Sequence, residues 1–289
     1  MRCIFCKKDS LDSKSIEHIM PESLGNVNHI LQPGVVCDEC NNYFARKVEA
    51  PFINSPQIKS LRFLQEIPNK KGYYIPQRGL AIGKENRSGV TIYKGTPVHK
   101  KDNNSERIAI VEFDDSIITE GSIIFPGVSD KDYYEMNDRV VSRFIAKIAI
   151  ECIASRLVDC EPNELGEMIN ETALDPLRNY ARYGSGGIWP YYIRRIYDSE
   201  SRIENADGSF DQIVWESDFL FIPSEEPSIH PDQYACYPFF ILALFGLEYT
   251  IYIGSNDDDV FELYWKWLED HNWVSPLYCE NKDKIPWLV

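Results

Sequence analysis

A long amphipathic helix is the clearest pattern in the chain. Between Met136 and Val158 the apolar residues recur at three- and four-residue spacing, which matches one face of an α-helix. They are Val140, Val141, Phe144, Ile145, Ile148, Ala149, Cys152 and Ile153. Shorter helices are predicted at Pro162–Glu171, Pro176–Arg182 and Asp258–Glu269.

Runs of β-branched and aromatic residues separated by polar turns predict strands on both sides of this helix. Before it they fall at Tyr73–Pro76, Val90–Tyr93, Ile108–Phe113 and Ile117–Phe125, which favours a meander or a small sheet. After it they fall at Tyr191–Tyr197, Ile213–Ile222 and Phe239–Ile253. The predicted fold class is therefore α+β.

The N-terminal segment has a different pattern, with most of its landmarks between Cys3 and Glu49. We expect a helix after Cys37 that ends at Pro51, because proline disrupts a helix interior. Residues 51–72 contain three prolines and one short apolar stretch, which is typical of a linker. We predict two domains, a small module at 1–66 and a larger mixed α+β domain at 67–289.

The charge is distributed unevenly between these parts. The whole chain carries −15, which is unusual for a protein that binds phosphates. Residues 1–71, however, hold ten Lys and Arg against eight Asp and Glu, a net of +2, which leaves −17 for the remainder. The second domain is thus expected to serve recognition, regulation or dimerisation instead of forming the main phosphate-binding surface.

The chain starts without the charged and apolar regions of a signal peptide, and we expect a cytoplasmic protein. The most apolar run, Tyr237–Gly246, is about half of the ~20 residues that a membrane-spanning helix needs. It predicts a buried core segment, and no membrane association is expected.

Four of the eight cysteines form two pairs, Cys3/Cys6 and Cys37/Cys40, each with two intervening residues. Two such pairs can present four thiolates to one tetrahedral ion, so a structural Zn²⁺ is preferred over disulfides or unliganded thiols. A closed site with four cysteines has no open position for catalysis. The ion would stabilise a module that is too small to bury much apolar surface.

Between the two pairs lies the sequence Glu17-His18-Ile19-Met20-Pro21. An adjoining carboxylate and imidazole are, on their own, more typical of a solvated surface pair than of a site. Their position between two zinc-type cysteine pairs changes this interpretation.

The order of CxxC, acid-His-hydrophobic-x-Pro, a glycine loop, and a second CxxC followed directly by Asn resembles the HNH, or ββα-metal, endonucleases. The resemblance covers residues 3–50 and is greatest to the zinc-containing, four-cysteine branch that includes phage junction resolvases. The family's catalytic positions fall on Glu17, His18 and Asn41. The first acid is Glu where Asp is common in the family.

The resemblance implies that His18 acts as the general base that activates water, a task suited to an imidazole because it titrates near neutral pH. It also implies that Glu17 and Asn41 hold an exchangeable Mg²⁺ or Mn²⁺, which accepts hard oxygen ligands and stabilises the scissile phosphate and its leaving oxygen. The substrate would be DNA.

Asn42 adjoins Asn41, and helical periodicity separates the two. Asn41 shares a face with Phe44 and Val48, whereas Asn42 aligns with polar residues. We therefore select Asn41. Asn28 or Gln32 occupies the region where a central Asn of the family fixes the loop that carries the base. His29 is interpreted as an exposed loop residue.

The leading hypothesis is a metal-dependent endonuclease, with a restriction or anti-phage defence role, in which a homodimer or a regulatory partner engages the acidic domain. The alternative is a non-enzymatic zinc-binding adaptor for nucleic acid or protein. In that case Glu17, His18 and Asn41 would be ordinary surface residues.

Overall fold

A short antiparallel hairpin and a helix form the N-terminal part of the fold. In the computed structural model, strand β1 (Glu17–His18) pairs with β2 (Ile30–Leu31), with Glu17 opposite Leu31. A 3-10 turn at Glu22–Leu24 follows β1 and ends at Gly25, whose φ of 84° suits glycine. Helix α1 (Asp38–Phe44) follows β2.

The expectation that this helix ends at Pro51 is wrong. A π-helical turn at Ala45–Glu49 follows α1, and α2 (Ala50–Ile53) continues the helix past the proline. Proline lacks the N–H that an α-helix requires and its ring crowds the preceding turn, and a wider turn is a known way to relieve both constraints.

The segment interpreted as a linker contains helix α3 (Pro56–Leu64). Ser55 caps its N-terminus, where its Oγ accepts a hydrogen bond from the N–H of Ile58, and Pro56 occupies the first turn. The helix buries Ile58, Leu61 and Phe63. Pro56 thus marks a helix start, and this segment is not an unstructured linker.

A four-stranded antiparallel sheet follows, in the order β5-β4-β3-β6. Its strands are β3 (Gln77–Gly83), β4 (Arg87–Lys94), β5 (Ala109–Phe113) and β6 (Gly121–Ile124). The predicted small sheet is confirmed, but β6 pairs with β3 and not with β5, so the four strands do not form a simple meander. The strand predicted at Tyr73–Pro76 is wrong, because β3 starts after Pro76. Ahead of β3, the side-chain carbonyl of Asn69 accepts hydrogen bonds from the backbone N–H groups of Lys71 and Tyr73. Helix α4 (Asp130–Tyr134) follows the sheet.

The predicted long helix is confirmed as α5 (Asp138–Val158). Two shorter helices, α6 (Glu164–Asn170) and α7 (Asp175–Tyr183), follow close to their predicted positions. Helix α7 ends at Gly184, whose φ of 61° is left-handed.

The second four-stranded antiparallel sheet has the order β10-β11-β12-β7. Its strands are β7 (Tyr191–Arg195), β10 (Trp215–Pro223), β11 (Cys236–Leu244) and β12 (Leu247–Tyr252), while β8 (Arg202–Glu204) and β9 (Phe210–Gln212) form a separate hairpin. The run Phe239–Ile253 is therefore two strands, joined at Phe245-Gly246, where both residues have positive φ. The apolar run at 237–246 is core, as predicted.

Helix α8 (Phe261–Asp270) covers one face of this sheet. Phe239 and Ile241 of β11 pack with Tyr264 and Leu268 of α8 in a buried cluster. Phe240 and Leu242, which alternate with them and point to the opposite face, are also buried. The sheet is therefore covered on both faces, which makes it the core of this part of the chain.

The structure describes residues 1–26, 28–69, 71–94, 109–125, 129–158, 160, 163–199, 201–204, 210–212, 214–224 and 236–279. Ile108, Pro162 and Ile213, with which three predicted elements begin, lie outside these ranges. Among the described residues, no helix is both long and apolar enough to cross a membrane.

The chain divides into two compact units, one of residues 1–19, 29–50 and 136–289, the other of residues 20–28 and 51–135. The first unit thus combines most of the cysteine-containing segment with the second sheet. The α+β class is confirmed, and the predicted domain division after residue 66 stays a prediction.

Candidate functional site

The four N-terminal cysteines come together as the spacing predicted. Two backbone hydrogen bonds, from the Cys3 N–H to the Lys8 carbonyl and from the Lys7 N–H to the Cys3 carbonyl, close a tight turn around the first pair. Lys7 adopts a left-handed φ of 59° in this turn. The second pair starts α1, where the Cys40 N–H donates to Sγ of Cys37. Each pair is thus held by its own backbone.

The geometry of the four sulfur atoms fits a tetrahedral zinc ion. All four lie within 4.8 Å of one another, and Sγ of Cys6 is 3.7 Å from Sγ of Cys37. Zinc–sulfur bonds of about 2.3 Å in a tetrahedron place the sulfurs roughly 3.8 Å apart. Cys3, Cys6, Cys37 and Cys40 would hold the ion, which would supply structural stability. All eight cysteines are free of disulfides.

The ionisation of these thiols is consistent with a site for a cation. A hydrogen bond with the Cys40 side chain lowers the pKa of Cys3 to about 5. Burial raises the pKa of Cys37 to about 11, and the side-chain hydrogen bond with Cys3 raises that of Cys40. Without a cation, four thiols packed this closely permit only one thiolate. A bound metal ion, in contrast, deprotonates its thiol ligands.

Strand β1 carries two of the predicted site residues side by side. Consecutive side chains of a strand point to opposite faces, and here Glu17 is 4% exposed while His18 is half-buried. The Nδ1 atom of His18 is buried and has no hydrogen-bond partner within the described part of the chain. Buried imidazole nitrogens are normally paired, so this atom is an exception that calls for an explanation.

The carboxylate of Glu17 binds a buried lysine of helix α5. Nζ of Lys147 lies 2.7 Å from Glu17, 2.8 Å from Glu49 and 2.8 Å from Glu151. It also donates to the backbone carbonyls of His18, at 3.3 Å, and Ile19, at 3.4 Å. Lys147 is fully buried, and all of these residues belong to the same compact unit. We call these four charged side chains the Lys147 cluster.

Burial and charge act in opposite directions within the Lys147 cluster. Burial alone would lower the pKa of Lys147, but the carboxylates of Glu151, Glu17 and Glu49 outweigh it and hold that pKa well above its ordinary value. Burial raises the pKa of Glu151, and the neighbouring Glu17 and Glu49 add to this effect against the attraction of Lys147. The cluster thus favours the charged form of Lys147, while burial works against the charged form of Glu151.

Asn41 and Asn42 differ as the helical periodicity predicts. The side-chain amide of Asn41 donates to the carbonyl of Ile16 at 3.1 Å, one residue before Glu17. Asn42 is exposed and its amide donates to the Asp38 carbonyl of its own helix. Asn41 therefore links the helix that follows Cys40 to the strand that bears Glu17 and His18. The assignment of a role to Asn41 stays a prediction.

The donor chemistry at this position fits a hard divalent ion. Nδ2 of Asn41 donates to the Ile16 carbonyl. The other polar atom of this partly exposed amide, Oδ1, is therefore directed away from that carbonyl. A carboxylate and an amide oxygen are ligands that Mg²⁺ and Mn²⁺ accept. Carboxylates that ligate metals are commonly hydrogen-bonded by a neighbouring group, as Glu17 is by Lys147.

The sequence pattern missed several of these residues. Lys147 and Glu151 are spaced i,i+4 on the buried side of an apolar helix, and two opposite charges there are a readable signal of an internal ion pair. Glu49 gives no comparable signal, since an acidic residue near a helix end is common. Asp257, Asp258 and Asp259 also lie close enough together to hold a cation, but all three are exposed, and exposed acidic groups are common without an ion.

The loop after β1 is fixed by a residue other than the two considered. Asn26 is 2% exposed, and its amide donates to the Met20 carbonyl at 2.7 Å. Asn28 and Gln32 are exposed. Which residue takes the place of the family's central Asn was left open in the sequence, and it stays open. A glycine immediately before Asn26 was the signal for a tight turn that needs such a bond.

Comparison with known proteins agrees with this arrangement. Residues 3–57 match a family model described as HNH endonuclease. This span contains the four cysteines, Glu17, His18 and Asn41. No curated protein and no solved structure matches the chain. The N-terminal segment is therefore an HNH-type module, and the resemblance recognised in residues 3–50 is confirmed.

Proposed function

We propose that this protein is a divalent-metal-dependent endonuclease that hydrolyses phosphodiester bonds of DNA, with a restriction or anti-phage role. One observation carries the proposal. The three residues at the family's catalytic positions lie on two elements that meet beside the cysteine cluster, because Asn41 follows Cys40 directly and binds the backbone next to Glu17.

His18 is the proposed general base. Its ring is half-buried, so that it keeps a fixed orientation while part of it remains open to water and substrate. The ring would accept a proton from the attacking water as the new phosphorus–oxygen bond forms.

Glu17 and the amide oxygen of Asn41 are the proposed ligands of the exchangeable ion. When bound, this ion would neutralise charge on the scissile phosphate and its departing 3′ oxygen. Zinc, in contrast, would remain structural, since its four thiolate ligands leave no open position. The two metals would therefore respond differently to dilution and to weak chelators.

Exposed cations lie on the helix that carries Asn41. Arg46 and Lys47 are both exposed, and Nε of Arg46 donates to the Asn42 carbonyl of the preceding turn. Cations near a cleavage site can bind flanking phosphates without reading the sequence. This arrangement supports a nucleic acid as the substrate of the N-terminal module.

The test uses the intact, zinc-loaded protein and supercoiled plasmid. We expect nicked circles with Mg²⁺ or Mn²⁺ and intact plasmid when neither ion is added, with zinc content measured in each sample. A parallel assay on single-stranded RNA tests the choice of DNA. A folded, zinc-loaded protein that leaves both nucleic acids intact with either ion would support the adaptor alternative instead.

A further inference from the structure

Lys147 is far from the HNH module in sequence, yet it contacts the strand that carries the proposed base. Its ammonium is 2.7 Å from Glu17 and within hydrogen-bond distance of the carbonyls of His18 and Ile19. These contacts involve three consecutive residues of β1 and its continuation. A single buried side chain thus constrains both the carboxylate of Glu17 and the backbone of His18.

The helix that carries Asn41 reaches the same ammonium. Glu49, at the end of the π-helical turn, is 2.8 Å from Nζ of Lys147. In an uninterrupted α-helix, residues eight positions apart point about 80° away from each other. The wider turn changes the direction of Glu49 relative to Asn41. The helix therefore contacts the β1 region directly, through Asn41 at Ile16, and is linked to it a second time through Lys147, which pairs with both Glu49 and Glu17.

The charges of the Lys147 cluster make these contacts hard to replace. Removing the ammonium would leave Glu17 and Glu151, which are 4% and 0% exposed, without their shared cation. A buried carboxylate left in this way moves toward water or takes up a proton, and either change alters its position or its charge. Glu17 would then be less suited to hold a divalent ion.

We propose that Lys147 is a positioning residue of the nuclease site, which orients the Glu17 carboxylate toward the exchangeable ion and fixes the backbone of His18. The inference rests on the proposed function of Glu17 and His18. The proposal also assigns a role to residues 136–289, because α5 supplies the side chain on which the site of the N-terminal module depends.

The test compares two variants of the same compact unit, each of which loses a cation that pairs with a buried glutamate. Lys147→Met removes the ammonium of the cluster. Arg194→Met is the matched control, because Arg194 pairs with the buried Glu248 in the second sheet and does not contact β1. Mn²⁺ affinity is measured by calorimetry on the zinc-loaded proteins, and plasmid nicking is measured at saturating Mn²⁺.

We expect Lys147→Met to weaken Mn²⁺ binding by about 10- to 100-fold, the usual effect of removing an outer partner of a metal ligand. Nicking should fall as well. Arg194→Met should keep the Mn²⁺ affinity of the unaltered protein, after correction for its folded fraction. Equal Mn²⁺ affinity in Lys147→Met and the unaltered protein would overturn the proposal.

Hydrogen exchange supplies a readout that does not depend on the metal. The amide of Ile19 donates to the His29 carbonyl in the hairpin, and peptides that cover residues 16–31 should exchange faster in Lys147→Met but not in Arg194→Met. If the unaltered protein binds no Mn²⁺, the proposed function fails while this comparison still tests the positioning. Unchanged exchange in this segment would contradict the backbone role of Lys147.

A second variant covers the case in which Lys147→Met does not fold. Lys147→Met/Glu151→Met removes both members of the fully buried i,i+4 pair, so that Glu151 is not left buried without its cation. It should fold and still show the weaker Mn²⁺ binding and the faster exchange. A folded double variant with unaltered Mn²⁺ affinity would equally overturn the proposal.

Discussion

Nζ of Lys147 lies 2.7 Å from Oε1 of Glu17, although 130 residues separate the two in the chain. Glu17 adjoins the proposed base His18, and Lys147 belongs to the long helix α5. The strand of the HNH-type module is therefore held by a residue from outside the segment that matches the family model. Loss of α5 should affect the site as well as the fold.

The cysteine cluster predicts one zinc ion per chain. Because zinc binding contributes about 10–16 kcal/mol in small zinc-dependent modules, its removal should unfold the hairpin and α1. Metal analysis of the purified protein should give one zinc, and Cys40→Ser should lower this value and the thermal stability. A protein without zinc that has an unaltered melting temperature would contradict the structural role of the metal.

The buried amide of Asn26 should stabilise the loop after β1. Asn26→Ala leaves the Met20 carbonyl without its donor, and we expect a loss of about 1–3 kcal/mol in the free energy of unfolding. Asn28→Ala is the matched control, because Asn28 is exposed, and it should change this free energy by less than about 0.5 kcal/mol. Urea unfolding measures both, and similar losses in the two variants would exclude a specific role for Asn26.

The two adjacent asparagines of α1 should separate metal binding from general helix effects. Asn41→Ala removes a proposed ligand and the bond to Ile16, so nicking should require a higher Mn²⁺ concentration and fall by about 10- to 100-fold at fixed metal. Asn42→Ala should nick plasmid at almost the same rate as the unaltered protein. Titration of Mn²⁺ in the nicking assay provides the comparison, and a larger loss in Asn42→Ala would reverse the assignment.

The burial of Glu151 predicts a pH-dependent stability difference. Because burial raises its pKa in the folded state above the ordinary 4.5, the folded chain binds the proton more tightly than the unfolded chain. The contribution of Glu151 is then fully present below that ordinary value and is lost as the pH rises through the raised value.

Glu151→Gln lacks this titration. Its free energy of unfolding, relative to that of the unaltered protein, should therefore increase as the pH rises above about 4.5, by at most about 1.4 kcal/mol per pH unit. Urea unfolding at several pH values measures the difference. A difference that is constant with pH would show that Glu151 has the same pKa in both states.

The local parts of the fold were readable from the sequence because their signals are local. The spacing of Cys3, Cys6, Cys37 and Cys40 predicted the cluster, and the apolar period of α5 predicted the long helix. Pro51 was misleading, since a π-helical turn accommodates it. Phe245-Gly246 was missed because a buried aromatic residue with positive φ is a rare turn signal.

The contacts around the site were not readable, because they join segments that are distant in the chain. The resemblance implied that Glu17 is a metal ligand, and nothing near it in the sequence indicates a lysine 130 positions later. Asn26 differs from Asn28 only in burial, which depends on how the loop closes. These contacts form only when the whole compact unit packs, so the local sequence does not predict them.

The most direct test of this account compares two histidine variants in the plasmid-nicking assay. His18→Ala removes the proposed base, while His29→Ala is its matched control on the partner side of the same hairpin, where the side chain is exposed. With equal zinc content and Mn²⁺ present, we predict a rate about 10²- to 10⁴-fold lower for His18→Ala and close to unaltered for His29→Ala. Equal nicking rates for His18→Ala and the unaltered protein would contradict the account.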